Sequence, residues 1–118
     1  MRARQAPALT CALMESAVSL GLGRRQLAKA IGVSESTIGR FARGERYVRQ
    51  GSEQWDHSLM LVSVYQALFS LVGGNESRMR DWMTSYNRAF HKTPAESILT
   101  AGGLARTLSY LRGMSSLL

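Results

Sequence analysis

The chain has little of several things on which common protein classes depend. It contains one cysteine, so no disulfide bond can form within the chain, and a reducing compartment such as the cytoplasm is expected. No apolar run reaches the roughly 18 residues that a membrane-spanning helix needs, and no apolar segment typical of a signal peptide follows the charged start. Acidic residues are also scarce: eight stand against fifteen Lys and Arg, which leaves a formal net charge of +7.

The sequence also lacks the residue arrangements that enzymes and metalloproteins use. His57 and His91 lie far apart, and no Cys/His cluster has the spacing of metal ligands. No Ser/His/Asp, Cys/His or paired-carboxylate arrangement suggests a catalytic role. We therefore expect a protein that is not an enzyme and that needs no metal or cofactor. Cys11 falls within a helical pattern and is predicted to be a small buried side chain.

The positive charge is concentrated in the first half of the chain. Residues 1–50 carry nine Lys and Arg against three Glu, whereas residues 51–73 carry two acids and no base. Residues 74–118 carry six bases against three acids. Clustered arginines are typical of a protein that binds a polyanion such as nucleic acid. The charge alone is equally consistent with a solvated surface that keeps the protein soluble.

Apolar residues recur at helical spacing along the chain, which predicts an all-α fold. The predicted helices cover residues 8–20, 24–31, 34–43, 55–71, 75–86, 94–99 and 103–114. The fourth helix is apolar around so much of its circumference that we expect it to be buried on more than one side. We interpret it as a spine that joins an N-terminal lobe, residues 1–72, to a C-terminal lobe, residues 73–118. A dimer face is the alternative interpretation of the same pattern.

The stretch Arg24–Gly44 has the pattern of two helices joined by a tight turn. Gly32 suits a left-handed turn, and Ser34 is a good N-cap for the second helix. Ala28, Gly32 and Ile38 stand at the spacing of a DNA-binding helix-turn-helix. In these positions the stretch resembles the Xre/Cro-type repressors. A helical hairpin inside some other bundle is the alternative.

This resemblance and the charge together predict a DNA-binding surface on and around the second helix of the pair. The residues expected to contact bases or phosphates are Arg24, Arg25, Ser34, Ser36, Arg40, Arg43, Arg46 and Arg49. Glu35 repels phosphate, and Gly39, predicted to face outward, costs a helix about 1 kcal/mol relative to alanine. Close approach to DNA explains this glycine, and close helix packing explains it equally well.

A second pattern follows in the last third of the chain. Its positions are Trp82, Met83, Asn87, Phe90, Thr93, Pro94, Glu96, Ile98, Thr100 and Gly103. Over residues 75–114 this pattern resembles the toxin-binding domain of Xre/MbcA/ParS antitoxins. The resemblance implies an antitoxin of a type II toxin–antitoxin system, whose partner is a RES-domain toxin that attacks NAD⁺. It also implies that the C-terminal lobe covers the toxin's NAD⁺ cleft, while the N-terminal lobe binds promoter DNA as an autorepressor.

Within this resemblance, toxin contacts are expected from side chains that the core does not require. They are Asn87, Phe90, Arg112, Gly113, Met114, Leu117 and Leu118. Trp82 and Ile98 are interpreted as core residues. We expect a homodimer within a larger toxin–antitoxin complex, with no membrane partner. Two alternatives stay open: an Xre-family repressor without a toxin partner, and an antitoxin in which Glu35 and Gly39 have abolished DNA binding.

Overall fold

The computed structural model describes residues 2–117, and within them it contains helices and no β-sheet, which confirms the all-α fold. The helices are α1 (Arg2–Leu20), α2 (Arg24–Ile31), α3 (Glu35–Ala42), α4 (Glu53–Leu71), α5 (Glu76–Thr84), α6 (Pro94–Ser97) and α7 (Ala101–Ser115). No single helix of this set is long and apolar enough to cross a membrane. Only α4 and α5 taken together have the length and apolar composition of a membrane span, and these two helices meet at a bend of 116°.

The spine interpretation of α4 is confirmed. This helix packs against α1, α2, α5 and α7, and it buries Leu61, Val64 and Leu68. One continuous hydrophobic core therefore runs from α1 to α7. The division into residues 1–72 and 73–118 stays a prediction, and it concerns two lobes that share this core.

The first helix is longer than its pattern predicts. It begins at Arg2 rather than Ala8, because the residues before Pro7 have high helix propensity. Pro7 lies inside the helix, where its missing amide removes one backbone hydrogen bond without ending the helix. The predicted apolar stripe is confirmed, with Leu9, Leu13, Ala17 and Leu20 buried. The prediction for Cys11 is wrong: it lies off this stripe and is exposed, and a 3.4 Å hydrogen bond to Glu15 raises the pKa of its thiol.

The turn between α2 and α3 forms as its sequence predicts. Gly32 has a left-handed backbone with φ of +81°, and its amide donates to the carbonyl of Ala28 at 2.9 Å. The amide of Val33 donates to the same carbonyl at 3.0 Å, which turns the chain sharply. The side-chain oxygen of Ser34 then accepts a 3.1 Å hydrogen bond from the amide of Thr37. The predicted turn and N-cap are therefore confirmed.

The C-terminal helices differ from their predicted boundaries. Because α5 ends at Thr84, Tyr86 does not lie on its buried face and is 66% exposed. Gly102 and Gly103 do not separate the last two helices, since both lie in the first turn of α7. The break falls before them because Thr100 caps α7 and accepts a 3.0 Å hydrogen bond from the amide of Gly103.

The capping box at the start of α6 is confirmed. The hydroxyl of Thr93 accepts a 3.2 Å hydrogen bond from the amide of Glu96. In return, the carboxylate of Glu96 accepts a 3.0 Å hydrogen bond from the amide of Thr93. This backbone hydrogen bond, followed by the one from the Thr93 hydroxyl, lowers the pKa of Glu96.

We expect Glu96→Gln to reduce the dependence of folding stability on acidic pH. A carboxylate whose pKa is lowered on folding contributes stability above its unfolded-state pKa, and that stability is lost as pH falls through the folded-state pKa. As the pH falls from neutral through the folded-state pKa of Glu96, the free energy of unfolding should therefore decrease more in the wild-type chain than in Glu96→Gln. Urea unfolding at a series of pH values measures both chains. Parallel curves would contradict the prediction.

Candidate functional site

The side chains predicted to contact DNA are all exposed, and the structure brings them together in two groups around α3. Arg24 and Arg43 converge over the middle of the helix. Arg46 and Arg49, in the loop that follows α3, line a cleft together with Ser34. The remaining members, Arg25, Ser36 and Arg40, are exposed and belong to neither group, although the Ser36 hydroxyl lies 3.0 Å from that of Ser34.

The middle of α3 carries a glycine that two arginines cover. Gly39 was predicted to face outward, and this is wrong, because the guanidinium groups of Arg24 and Arg43 bury it. A β-carbon at this position would lie 3.2 Å from Nη1 of Arg24 and 3.4 Å from Nη1 of Arg43. The neighbours of Gly39 are thus the ends of two exposed side chains, and close packing against another helix is not the reason for the glycine.

Arg43 is held by Glu45, a residue that the sequence pattern does not single out. Nε and Nη2 of Arg43 donate to the two carboxylate oxygens of Glu45 at 2.9 and 3.1 Å. These hydrogen bonds raise the pKa of Arg43 and lower that of Glu45, to which the charge of Arg40 also contributes. An Arg-x-Glu spacing just beyond a predicted helix is the signal in the sequence. The contact leaves Nη1 of Arg43 directed toward Gly39.

The loop after α3 is fixed to α1 by one buried residue. Val48 is 1% exposed, and its amide donates a 2.9 Å hydrogen bond to the hydroxyl of Thr10. Arg46 and Arg49, on either side of this anchor in the chain, line a cleft of about 340 Å³. Ser34 lines the same cleft, so that two arginines and the N-cap of α3 border one space.

The loop between α5 and α6 is organised by Asn87, which is half-buried. Its side-chain oxygen accepts a 2.9 Å hydrogen bond from the amide of Ala89. The backbone amide of Asn87 donates a 3.0 Å hydrogen bond to the carbonyl of Lys92, which closes the loop. Within the loop, His91 has a left-handed backbone with φ of +56°. The side chain of Asn87 is therefore engaged in holding the loop.

An aromatic cluster fixes this loop to α5 and α7. The ring of Phe90 packs edge-on against Trp82 and Tyr110, with centroid distances of 6.3 and 5.2 Å. The expectation that Phe90 contacts a partner through the surface is wrong for this structure, because the side chain is 2% exposed. Trp82, interpreted as core, is only partly buried and stacks on Tyr110 at 6.4 Å.

Trp82 and Tyr110 of this cluster also line an apolar groove at the end of α7. The groove has a volume of about 320 Å³ and is lined by Leu68, Leu71, Val72, Trp82, Tyr110, Leu111 and Met114. Met114 is 42% exposed at its edge, and Leu117, in the turn after α7, is 82% exposed. Gly113, also exposed, has open space around it.

The remaining predicted toxin contacts do not join this groove. Arg112 lines a separate groove of about 420 Å³ between α4 and α7, where Asp56 and Leu59 are its neighbours. Leu118 lies outside the described residues. The structure therefore brings Met114 together with side chains that the sequence assigned to the core, rather than with the other predicted contacts.

Fold and surface together define an all-helical protein whose C-terminal half presents an apolar groove beside exposed aliphatic side chains. Residues 67–116 match the family model of the antitoxin Xre/MbcA/ParS C-terminal toxin-binding domain. The C-terminal part of the chain is therefore an Xre/MbcA/ParS-type toxin-binding domain, which confirms the resemblance seen in the sequence and supports an antitoxin of this type. The match begins at residue 67 rather than 75, and so it includes the end of α4 that lines the groove. Comparison with curated proteins finds no match.

Proposed function

We propose that this antitoxin neutralises a RES-domain toxin by placing its groove and the end of α7 over the toxin's NAD⁺ cleft. The observation that supports this is the apolar groove, whose lining residues all lie within the matched toxin-binding domain and include the exposed Met114. An inhibitor that acts by occupying a cleft needs apolar anchors and a surface that excludes water, and it needs no nucleophile of its own. A RES-domain toxin is the partner that the family resemblance implies.

The structure narrows the proposed toxin contacts. Met114 and Leu117 are the proposed anchors, because both are apolar and exposed. Gly113, directly before Met114 in the chain, leaves room for the partner to approach. Asn87 would contribute to toxin binding indirectly, by holding the loop between α5 and α6 in shape. Arg112 would contact the toxin only if the interface extends around α7.

We propose further that the N-terminal lobe binds promoter DNA as an autorepressor, through α2 and α3 acting as a helix-turn-helix. The turn at Gly32, the N-cap at Ser34 and the exposed arginines around α3 support this function. The division into a DNA-binding lobe and a toxin-binding lobe, residues 1–72 and 73–118, follows from the two functions. We place the protein in the cytoplasm, as a homodimer within a larger complex.

Purification together with the toxin encoded beside its gene tests the first proposal. We expect a stable complex and suppressed NAD⁺ consumption by the toxin. Absence of a complex, with NAD⁺ consumption unchanged, would refute the proposal. If the protein is instead a repressor without a toxin partner, we expect specific binding to operator DNA, no complex with the toxin and unchanged NAD⁺ consumption.

Replacing Arg40 tests the second proposal. Arg40→Ala should weaken binding to the DNA upstream of its own gene and reduce the salt dependence of binding by about one phosphate contact, because Arg40 is exposed on α3. Arg78→Ala removes an exposed arginine from α5 and should leave both quantities unchanged. Gel shifts and anisotropy titrations at several salt concentrations measure both. If Arg40→Ala keeps the wild-type slope, Arg40 makes no phosphate contact.

A further inference from the structure

We propose that Arg24 and Arg43 form a seat for one DNA phosphate above Gly39, and that Glu45 positions Arg43 in this seat. This proposal rests on the DNA-binding function proposed above and names the residues that grip the backbone. We call Arg24, Arg43 and Gly39 the phosphate seat.

The positive charges of Arg24 and Arg43 converge above α3. Nη1 of Arg24 and Nη1 of Arg43 approach the same point above α3, although both side chains are exposed and long enough to separate. Like charges at such a separation repel each other, and an anion between them converts the repulsion into two attractions. Within residues 2–117, Arg24 has no ion-pair partner. Phosphate is an anion that guanidinium groups recognise through charge-assisted, paired hydrogen bonds.

A glycine lies beneath the two arginines. Gly39 lies in a regular helix, so its backbone does not require a glycine, and alanine would favour the helix by about 1 kcal/mol. A β-carbon there would meet only the ends of the two guanidinium groups. Its effect would therefore be to displace them and leave the helix intact. Because Gly39 has no β-carbon, the guanidinium groups of both arginines can lie close to the helix backbone at this position.

Glu45 holds Arg43 in one orientation. The carboxylate takes Nε and Nη2, which lie on the outer edge of the guanidinium, and leaves Nη1 facing the phosphate seat. Glu45 is thus a positioning residue, and it acts through Arg43. The change in DNA affinity on Glu45→Ala distinguishes this role from simple electrostatic repulsion. If Glu45 acted only as a negative charge that repels DNA, its removal would strengthen binding. If Glu45 positions Arg43, its removal weakens binding.

The experiment uses the full chain and a labelled duplex taken from the DNA upstream of its own gene. Affinity is measured by fluorescence anisotropy over a range of KCl concentrations. We expect Gly39→Ala and Arg24→Gln each to weaken binding about tenfold and to lower the slope of log affinity against log salt by about one. The double variant should be no weaker than Arg24→Gln alone, because both changes remove the same contact. Glu45→Ala should weaken binding rather than strengthen it.

Gly102→Ala is the matched control, because it also replaces a helical glycine by alanine but has nothing within 4 Å of the new carbon. It should leave DNA affinity unchanged. Urea unfolding should show both glycine variants to be at least as stable as the wild type, which separates binding from folding. If the wild-type chain does not bind the duplex, both the proposed DNA-binding function and the phosphate seat are refuted. If the wild type binds and Gly39→Ala keeps its affinity and slope, only the phosphate seat is overturned. Tighter binding by Glu45→Ala overturns the positioning role.

Discussion

Gly103→Ala is expected to destabilise the protein more than any other exchange of a glycine for alanine in its helices. Gly103 is buried where α7 crosses the end of α6, and a β-carbon there would overlap the backbone carbonyl of Ser97. It would also lie 3.0 Å from the hydroxyl of Thr100, which caps α7. Since a backbone cannot move aside as the end of a side chain does, we expect a loss of about 3 kcal/mol, which corresponds to a midpoint lower by roughly 10 °C.

The neighbouring glycine provides the comparison for this prediction. Gly102→Ala adds the same methyl group one residue earlier in the same helix, where nothing lies within 4 Å. It should be neutral or stabilising by up to about 1 kcal/mol, because alanine favours a helix. Thermal and urea unfolding of both variants measure the difference. Equal stabilities of the two variants would show that α6 and α7 do not cross as closely as described.

Met114→Glu is expected to abolish most of the toxin affinity while leaving the fold intact. Met114 lies at the edge of the apolar groove and is 42% exposed, so a carboxylate there can remain hydrated in the free protein. In the complex the same carboxylate would be buried against an apolar partner without compensation. We expect a loss of at least about 2 kcal/mol, or roughly 30-fold in affinity, measured by calorimetry with the toxin.

A control on the opposite face of α7 isolates the effect of position from that of charge. Ala105→Glu introduces the same carboxylate at an exposed site that lies outside the apolar groove. It should bind the toxin as the wild type does, and both variants should unfold and bind DNA normally. If Met114→Glu retains wild-type toxin affinity, the groove is not the contact surface.

Helix positions were largely predictable because they depend on local patterns. Gly32, Ser34 and Thr93 each act within a few residues of themselves, and their turn and caps form as expected. The start of α7 was mislocated because Gly102 and Gly103 suggest a break in any local pattern. Only the crossing of α6 at Ser97, a tertiary contact, explains why a glycine stands within that helix.

The candidate sites were less predictable, because they depend on which side chains meet in space. Phe90 has the composition of a surface anchor, but its burial depends on Trp82 and Tyr110 from two other helices. Glu45 is an ordinary loop residue until its contact with Arg43 is seen. The exposed arginines were identified correctly as exposed, since charge alone keeps such side chains in water. Their roles toward DNA stay predictions.

The continuous core couples the two ends of the molecule by mass action. A chain with one core unfolds in a single step, so a ligand at either end draws molecules out of the same unfolded pool. Toxin bound at the proposed groove would thus lower the unfolded fraction of the whole chain and protect α3 from proteolysis through global unfolding, although no atom near α3 moves. Depletion of free toxin would remove this added stabilisation and leave the chain with its intrinsic free energy of unfolding. The lifetime of the proposed DNA-binding surface would then increase with the occupancy of the proposed toxin-binding groove.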